Sequence, residues 1–432
     1  MTNTVKSSRA ERPAYDLLIG TTKLTTPQFA NIGTDPLNDN RRIAVDLNNI
    51  NTFFLTGVQG SGKSTVIQVL AESCCREVPG LNKLPAAPCV IGIHYTRQLG
   101  YRPEAINMRF PNAEPGMVTN LHDMWKAAPA GISDIVVLAP RHMVDKRRAE
   151  YRGREEDGPP IEVLPITLGL NQLSIDEVQI LMGAVGEDDS EYMQIINLIL
   201  EEQEGKLTLD GLEQQITIST LNANDKRTAL NRLRTLRRFV ADTADLGSVL
   251  KNGRYVSVDL RDPALMQTAA FRLIIVMMRV FARTRTAAGT LMPKMLILDE
   301  FHVYARNAAL VEALELAIRM MRHDATSVVL ASQEPIRVDP ILIELASIVI
   351  VNKCISPRWK HHLAGVIPAF GQDGFTIADL ITLGPGQAWL WTRDCYDTAI
   401  PVRPVRINIR PPFTMPGGST KTATSQLSPP RT

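Results

Sequence analysis

Gly57-Val58-Gln59-Gly60-Ser61-Gly62-Lys63-Ser64-Thr65 fits the spacing G-x-x-x-x-G-K-[ST] of a phosphate-binding P-loop. Its flanks supply the context the motif needs. Thr52-Phe53-Phe54-Leu55-Thr56 reads as a short buried strand before it, and Thr65-Val66-Ile67-Gln68-Val69-Leu70-Ala71 as an apolar helix after it. The glycines let the backbone curl so that successive N–H groups converge on phosphate oxygens, and the helix start adds partial positive charge. Gly57, Gln59, Gly60, Ser61, Gly62, Lys63, Ser64 and Thr65 are then the expected nucleotide cradle. Lys63 would reach the β- and γ-phosphates, and the Ser64 hydroxyl would ligate Mg²⁺. ATP and Mg²⁺ are the cofactors this implies.

Two further segments would turn binding into hydrolysis. Lys294-Met295-Leu296-Ile297-Leu298-Asp299-Glu300 is an apolar run ending in two carboxylates, as in a central parallel strand with its acids at the C-terminal end, where α/β sheets place ligands. Strands often end in acids, so the pairing with the P-loop carries this reading. Asp299 is expected to hold the Mg²⁺ shell, and Glu300 to orient and polarise the attacking water. Ser327-Val328-Val329-Leu330-Ala331 reads as another buried strand, ending at Ser332-Gln333. An amide at that tip can sense a γ-phosphate or position water.

The chain has 432 residues, enough for one large α/β domain with an inserted or appended piece. Hydrophobic content of 44% and charged content of 21% are those of a soluble globular protein. A net charge of +2 gives no global basic field, so any nucleic-acid contact has to come from local patches. Cys74, Cys75, Cys89, Cys354 and Cys395 form no C-x-x-C pair, so neither a zinc site nor a disulfide framework is indicated. No apolar run approaches the ~18 residues of a membrane span, and Met1-Thr2-Asn3-Thr4-Val5-Lys6 lacks a signal-peptide core. A cytoplasmic protein without direct membrane insertion is expected.

Along the chain, residues 1–30 are polar and read as a flexible N-terminal segment. Residues 31–170 read as the first part of the ATPase core, with strands at Arg41-Arg42-Ile43-Ala44-Val45-Asp46-Leu47, Cys89-Val90-Ile91-Gly92-Ile93 and Ile135-Val136-Val137-Leu138. The highly charged stretch 141–160 reads as a surface loop. Residues 171–250 read as a helical insert. Ser174 with Glu177 three residues on gives one helix start, Ser190 another, and a third helix over about 225–240 carries Lys226, Arg227, Arg232, Arg234, Arg237 and Arg238. Residues 251–410 read as the second part of the core, opening with the strand Tyr255-Val256-Ser257-Val258-Asp259-Leu260 and a long apolar helix over 266–285. Residues 411–432, rich in Pro, Gly, Ser and Thr, read as a disordered tail.

In this order the motifs resemble the HerA/FtsK superfamily of motor ATPases, HerA-type DNA translocases most closely. Gly57 to Thr65 is similar to its Walker A, and Ile297-Leu298-Asp299-Glu300-Phe301-His302 to its Walker B. Ile318-Arg319-Met320-Met321-Arg322-His323-Asp324 resembles its arginine-finger helix, and Leu330-Ala331-Ser332-Gln333-Glu334-Pro335 its Gln segment. Leu345-Ala346-Ser347-Ile348-Val349-Ile350-Val351-Asn352 and Leu383-Gly384-Pro385-Gly386-Gln387-Ala388-Trp389-Leu390 resemble its last strands. The resemblance implies an α/β, RecA-like P-loop ATPase fold with a central, mostly parallel sheet and an inserted helical subdomain. It implies a ring, typically a hexamer, that hydrolyses ATP and translocates double-stranded DNA. A partner nuclease or other effector, as in DNA end processing or anti-phage defence, is also implied. The P-loop begins at residue 57, too early for the family's full β-barrel domain before it.

Within this frame Glu300, Gln333 and Arg322 are the expected catalytic residues, with Arg322 reaching a neighbouring subunit's γ-phosphate. Arg319 and Arg393 are weaker finger candidates. His302 reads as structural or as a coupling residue. The basic row at 226–238 reads as either a phosphate contact or a solvated helix face, and Arg283-Thr284-Arg285-Thr286 as a pore loop or an ordinary turn. The alternatives are a conjugation or type IV secretion-type ATPase, and a nucleotide-gated scaffold that activates a partner enzyme.

Overall fold

The computed structural model describes residues 14–96, 99–100, 102–152, 161–183, 191–202, 207–306, 308–321 and 323–417. Its frame is a 14-stranded sheet. From one edge the path runs Leu17–Ile19, Arg41–Asp46, Phe29–Asp35, Val405–Ile409, Gln387–Thr392, Ile348–Val351, Thr52–Thr56, Thr326–Ser332, Lys294–Leu298, Cys89–His94, Tyr255–Asp259, Ile135–Ala139 and Glu162–Pro165. Asn82–Lys83 pairs with Phe29–Asp35 off this path. From Ile348–Val351 onward every neighbouring pair is parallel. On the other side the pairs are antiparallel until the parallel edge strand Leu17–Ile19.

The parallel strands read as continuous apolar runs because both sheet faces are covered. Successive side chains go to opposite faces: Phe53, Leu55, Met295, Ile297, Val329 and Ala331 join one core cluster, and Phe54, Leu296, Leu298, Val328 and Leu330 the other. The P-loop helix Lys63–Cys75 covers the first face with Val66, Val69, Leu70, Ala71 and Cys74. The helix Gln267–Ala282 covers the second, with Ile274, Val276, Met277 and Phe281 buried. Four helices, Ile175–Met182, Glu191–Glu202, Leu209–Ile218 and Ala223–Leu236, pack beyond it. Ser174 and Glu177 form a complete capping box at the first of them, as the sequence indicates.

Three stretches depart from the sequence reading. The segment taken as flexible is ordered from residue 14: Tyr15, Leu17, Leu18 and Ile19 are buried, and Leu17–Ile19 pairs with Arg41–Asp46. Residues 1–13 lie outside the described residues. The supposed surface loop contains the helix Val144–Tyr151, whose Arg147 and Tyr151 are buried. The Arg147 Nε approaches Asp259 Oδ2 at 2.8 Å, and the Tyr151 hydroxyl donates to the same oxygen at 2.6 Å. Arg147 and Tyr151 thus belong to a buried network, while Arg141, His142, Asp145, Lys146, Arg148 and Arg152 are exposed as a surface stretch would be; residues 153–160 lie outside the described residues. Finally, residues 411–417 are a packed strap and not a disordered arm. Glu72 of the P-loop helix accepts from the Phe413 and Thr414 backbone N–H groups at 3.0 and 2.9 Å and pairs with Arg410 at 2.7 Å, with both charges fully buried. Residues 418–432 are outside the described residues. All five cysteines are free thiols. Among the described residues no helix is long and apolar enough to cross a membrane.

Candidate nucleotide site

The P-loop leaves the C-terminal end of Thr52–Thr56 and enters the helix Lys63–Cys75. Its glycines have distinct reasons. Gly62, the helix N-cap, has φ 100°, and a Cβ there would lie 2.8 Å from the Gly386 nitrogen. Gly60 has φ 74° with open space around it, so backbone conformation alone requires it. A Cβ on Gly57 would lie 2.7 Å from the Asn352 Cβ. The loop is therefore wedged between the end of Ile348–Val351 and the turn before Gln387–Thr392. The Asn352 side-chain amide donates to the Ser61 carbonyl at 3.4 Å and the Gln387 carbonyl at 3.3 Å, and the Lys353 carbonyl accepts from the Val58 N–H at 3.0 Å. Gln59 and Gly60 are exposed at the loop crest, while Ser64 and Thr65 are half-buried in the first helical turn.

Strand order brings the remaining candidates to this loop. Thr326–Ser332 lies between the P-loop strand and Lys294–Leu298, all three parallel, so Asp299, Glu300 and Gln333 emerge beside it. Lys63 Nζ stands 3.3 Å from Asp299 Oδ1 and 3.3 Å from Glu300 Oε1. The Gln333 amide donates to the same Glu300 oxygen. Glu300 holds φ 52°, a backbone conformation that side chains rarely adopt, and its N–H donates to Asp299 Oδ1 at 2.8 Å. Strained residues of this kind concentrate at functional sites. Both carboxylates are about one-third exposed, against 7% for the Lys63 side chain, so the lysine is shielded and the acids face the cleft.

His302 Nδ1 lies 3.3 Å from Glu300 Oε2, and burial lowers its pKa below the ordinary histidine value. Of the finger candidates, Arg319 is engaged by Glu315 at 2.7 Å in its own helix, and Arg393 pairs with Asp394 at 3.5 Å. Arg322 lies outside the described residues. Arg283 pairs with Glu177, which ties the candidate pore turn to the first insert helix.

One acid at the site escaped the sequence reading. Glu104, in the short helix Glu104–Arg109, accepts a hydrogen bond from Ser64. Its residue surface is open to solvent, but protein crowds the carboxyl; that desolvation, with the charges of Asp299 and Glu300, raises its pKa above the usual carboxylate value. Nothing in Arg102-Pro103-Glu104-Ala105 marks it, because a fold-back outside any motif delivers it. Asn352 and Gly386 sit in segments whose family likeness was visible, but their contact with the P-loop was not.

The donor set suits a nucleotide with Mg²⁺. The crest at Gly60 leaves open backbone, the buried Ser61 Oγ has no partner among the described residues, and a shielded ammonium and a hydroxyl stand next to two partly exposed carboxylates.

No family model matches the chain, and no curated protein does. Solved structures do. VirB4 of Thermoanaerobacter pseudethanolicus superposes with a TM-score of 0.50 at 10% identity, over 89% of this chain and 97% of that one. The bacterial conjugative coupling protein TrwBdeltaN70, in its unbound form, gives 0.49 at 12% identity, over 85% and 87%. The genome packaging NTPase B204 from Sulfolobus turreted icosahedral virus 2, in complex with ATP-gammaS, gives 0.25 at 18% identity, over 32% and 62%. The chain has the α/β, RecA-like P-loop fold that the VirB4 structure shares along nearly its whole length.

Proposed function

We propose that the protein is an ATP-hydrolysing ring motor, hexameric as the sequence resemblance implies, that translocates double-stranded DNA. The observation carrying this reading is the convergence on Lys63 of Asp299 and Glu300, with Gln333 bonded to Glu300. The residues have separable tasks. The P-loop backbone of residues 57–65 and the Lys63 ammonium bind the phosphates. Ser64 and Asp299 would hold Mg²⁺, which when bound neutralises phosphate charge. Glu300 orients and polarises the attacking water, and Gln333 fixes the rotamer of Glu300 and reports on the γ-phosphate. Arg322 from a neighbouring subunit stabilises charge in the transition state.

What supports DNA as the substrate is the sequence resemblance. The same resemblance supports a partner nuclease or effector. A conjugation or type IV secretion-type ATPase is the second reading, and the shared fold is compatible with it.

The deciding experiment measures ATP turnover of the full chain with and without linear duplex DNA, alongside displacement of a triplex-forming strand from that duplex. A motor shows DNA-stimulated turnover and ATP-dependent displacement. Turnover indifferent to DNA, without displacement, removes the translocase reading and leaves the scaffold or protein-moving one.

A further inference from the structure

Arg237 of the helical insert is turned toward the body and matched with acids, Asp210 at 2.7 Å and Glu213 at 2.8 Å; at the end of the covering helix, Arg283 is matched with Glu177. Arg279 of the covering helix likewise meets Asp176. A second set on the last insert helix, Ala223–Leu236, is not. At 100° per residue, Asn224, Arg227, Asn231, Arg234 and Arg238 share one arc, opposite the buried Ala229, Leu233 and Leu236. All five are exposed, Arg238 in the turn that ends the helix. Among the described residues Arg227 and Arg234 bond the neutral amides of Asn224 and Asn231, at 3.2 and 3.4 Å, and no others. Among the described residues no carboxylate lies within ion-pair distance of Arg227, Arg234 or Arg238. Asp225, the acid of the first turn, lies about 160–180° from Arg227 and Arg234 on the helix wheel, and its carboxylate accepts from the Asn222 amide.

We propose that this arc is a sequence-independent binding surface for the phosphate backbone of duplex DNA, which rests on the motor reading above. Arginine alternating with asparagine supplies the donors that phosphate oxygens take, with no apolar anchor of the kind a protein interface core uses. From Arg227 to Arg238 the row spans ~16 Å at ~1.5 Å rise per residue. One DNA strand places a phosphate every ~3.4 Å along its axis, so the three guanidinium groups can each meet a different phosphate. The chain's small net charge makes such a local row the effective one.

The test compares the full-length wild type, the triple variant Arg227→Gln/Arg234→Gln/Arg238→Gln, and a control with the same charge change, Lys23→Gln/Lys83→Gln/Arg403→Gln, whose exposed residues lie on the antiparallel side of the sheet. Fluorescence anisotropy with two labelled duplexes of unrelated sequence is read across a KCl series. The triple variant is expected to lose affinity equally for both, with the log–log salt slope smaller by about 1 per arginine, while the control keeps its slope. Basal ATP turnover, without DNA, should stay at the wild-type level. A triple variant that binds as wild type does overturns the surface; if its turnover is still DNA-stimulated, the motor reading survives. A wild type that binds neither duplex overturns both. Direct binding of labelled polyglutamate more tightly than either duplex at equal charge concentration, lost in the triple variant, assigns the surface to an acidic protein and overturns the DNA assignment.

Discussion

Lys63, Glu300 and Asn352 act on the same loop through different physics, and substitutions separate them. Lys63→Ala removes the main side-chain partner of the β/γ-phosphates and should abolish nucleotide binding, read with a fluorescent ATP analogue. Glu300→Gln keeps the shape and loses the charge that polarises water. Binding should persist while kcat falls by roughly 10²–10⁴; turnover near the wild-type rate would remove Glu300 from the catalytic role. Asn352→Ala leaves the Ser61 and Gln387 carbonyls without their donor. An unmade buried hydrogen bond costs about 1–3 kcal/mol, so KM for ATP should rise about tenfold with kcat little changed. A purely structural defect would lower the active fraction and leave KM alone. The sequence showed Lys63 and Glu300 because a fixed local spacing encodes their chemistry. It did not show Asn352, Gly386 or Glu104 against the loop, because those contacts join residues far apart in sequence, hundreds of positions for Asn352 and Gly386, and no periodicity encodes them.

Strands and helices were the most readable level wherever one face is apolar. Lys294–Leu298 and Gln267–Ala282 follow from burial alone, and the Ser174–Glu177 box from local hydrogen bonding. The misread segments have two causes: at 14–19 and 411–417 a polar or Pro- and Ser-rich composition hid residues that long-range pairing buries, and at 144–151 charge hid a buried arginine. Arg147 and Arg410 are buried because carboxylates from distant strands and helices meet them. That explanation has a measurable cost. Arg410→Met leaves Glu72 as an uncompensated buried charge and should destabilise the fold by about 3–5 kcal/mol in urea melts, and adding Glu72→Gln should recover much of it. Lys294, almost fully buried at a strand start, donates to the Ala282 and Met292 carbonyls at 3.0 and 2.7 Å. Desolvation lowers its pKa from 10.5 to about 8. Between those values the unfolded state binds more protons than the folded one, so this lysine makes stability rise with pH across that window, by at most about 1.4 kcal/mol per pH unit. Lys294→Met should remove that contribution, read as the pH dependence of the wild-type-minus-variant difference in urea melts. A difference that is flat from pH 8 to 10 would show that Lys294 titrates normally.

For the whole molecule, the decisive feature is a cleft whose acids are about one-third exposed while its lysine is shielded, at the C-terminal ends of the central parallel strands. If a neighbour supplies Arg322, activity belongs to the interface rather than to the subunit. Arg322→Ala should then leave ATP binding intact and reduce turnover of the assembled protein, since arginine fingers contribute roughly 10³–10⁵ in rate in other P-loop enzymes. Mixing gives the sharper discrimination. Lys63→Ala subunits bind no nucleotide but carry an intact Arg322; Arg322→Ala subunits bind nucleotide but offer no finger. Each should be nearly inactive alone. In a mixed ring some interfaces join an intact Lys63 from one subunit to an intact Arg322 from the next, so ATP turnover should partly return, scaling with the fraction of such junctions. Native mass spectrometry of the same samples establishes that the rings are mixed. Turnover that stays at the level of the separate variants in rings shown to be mixed counts against a finger in trans, and full activity of Arg322→Ala alone eliminates it.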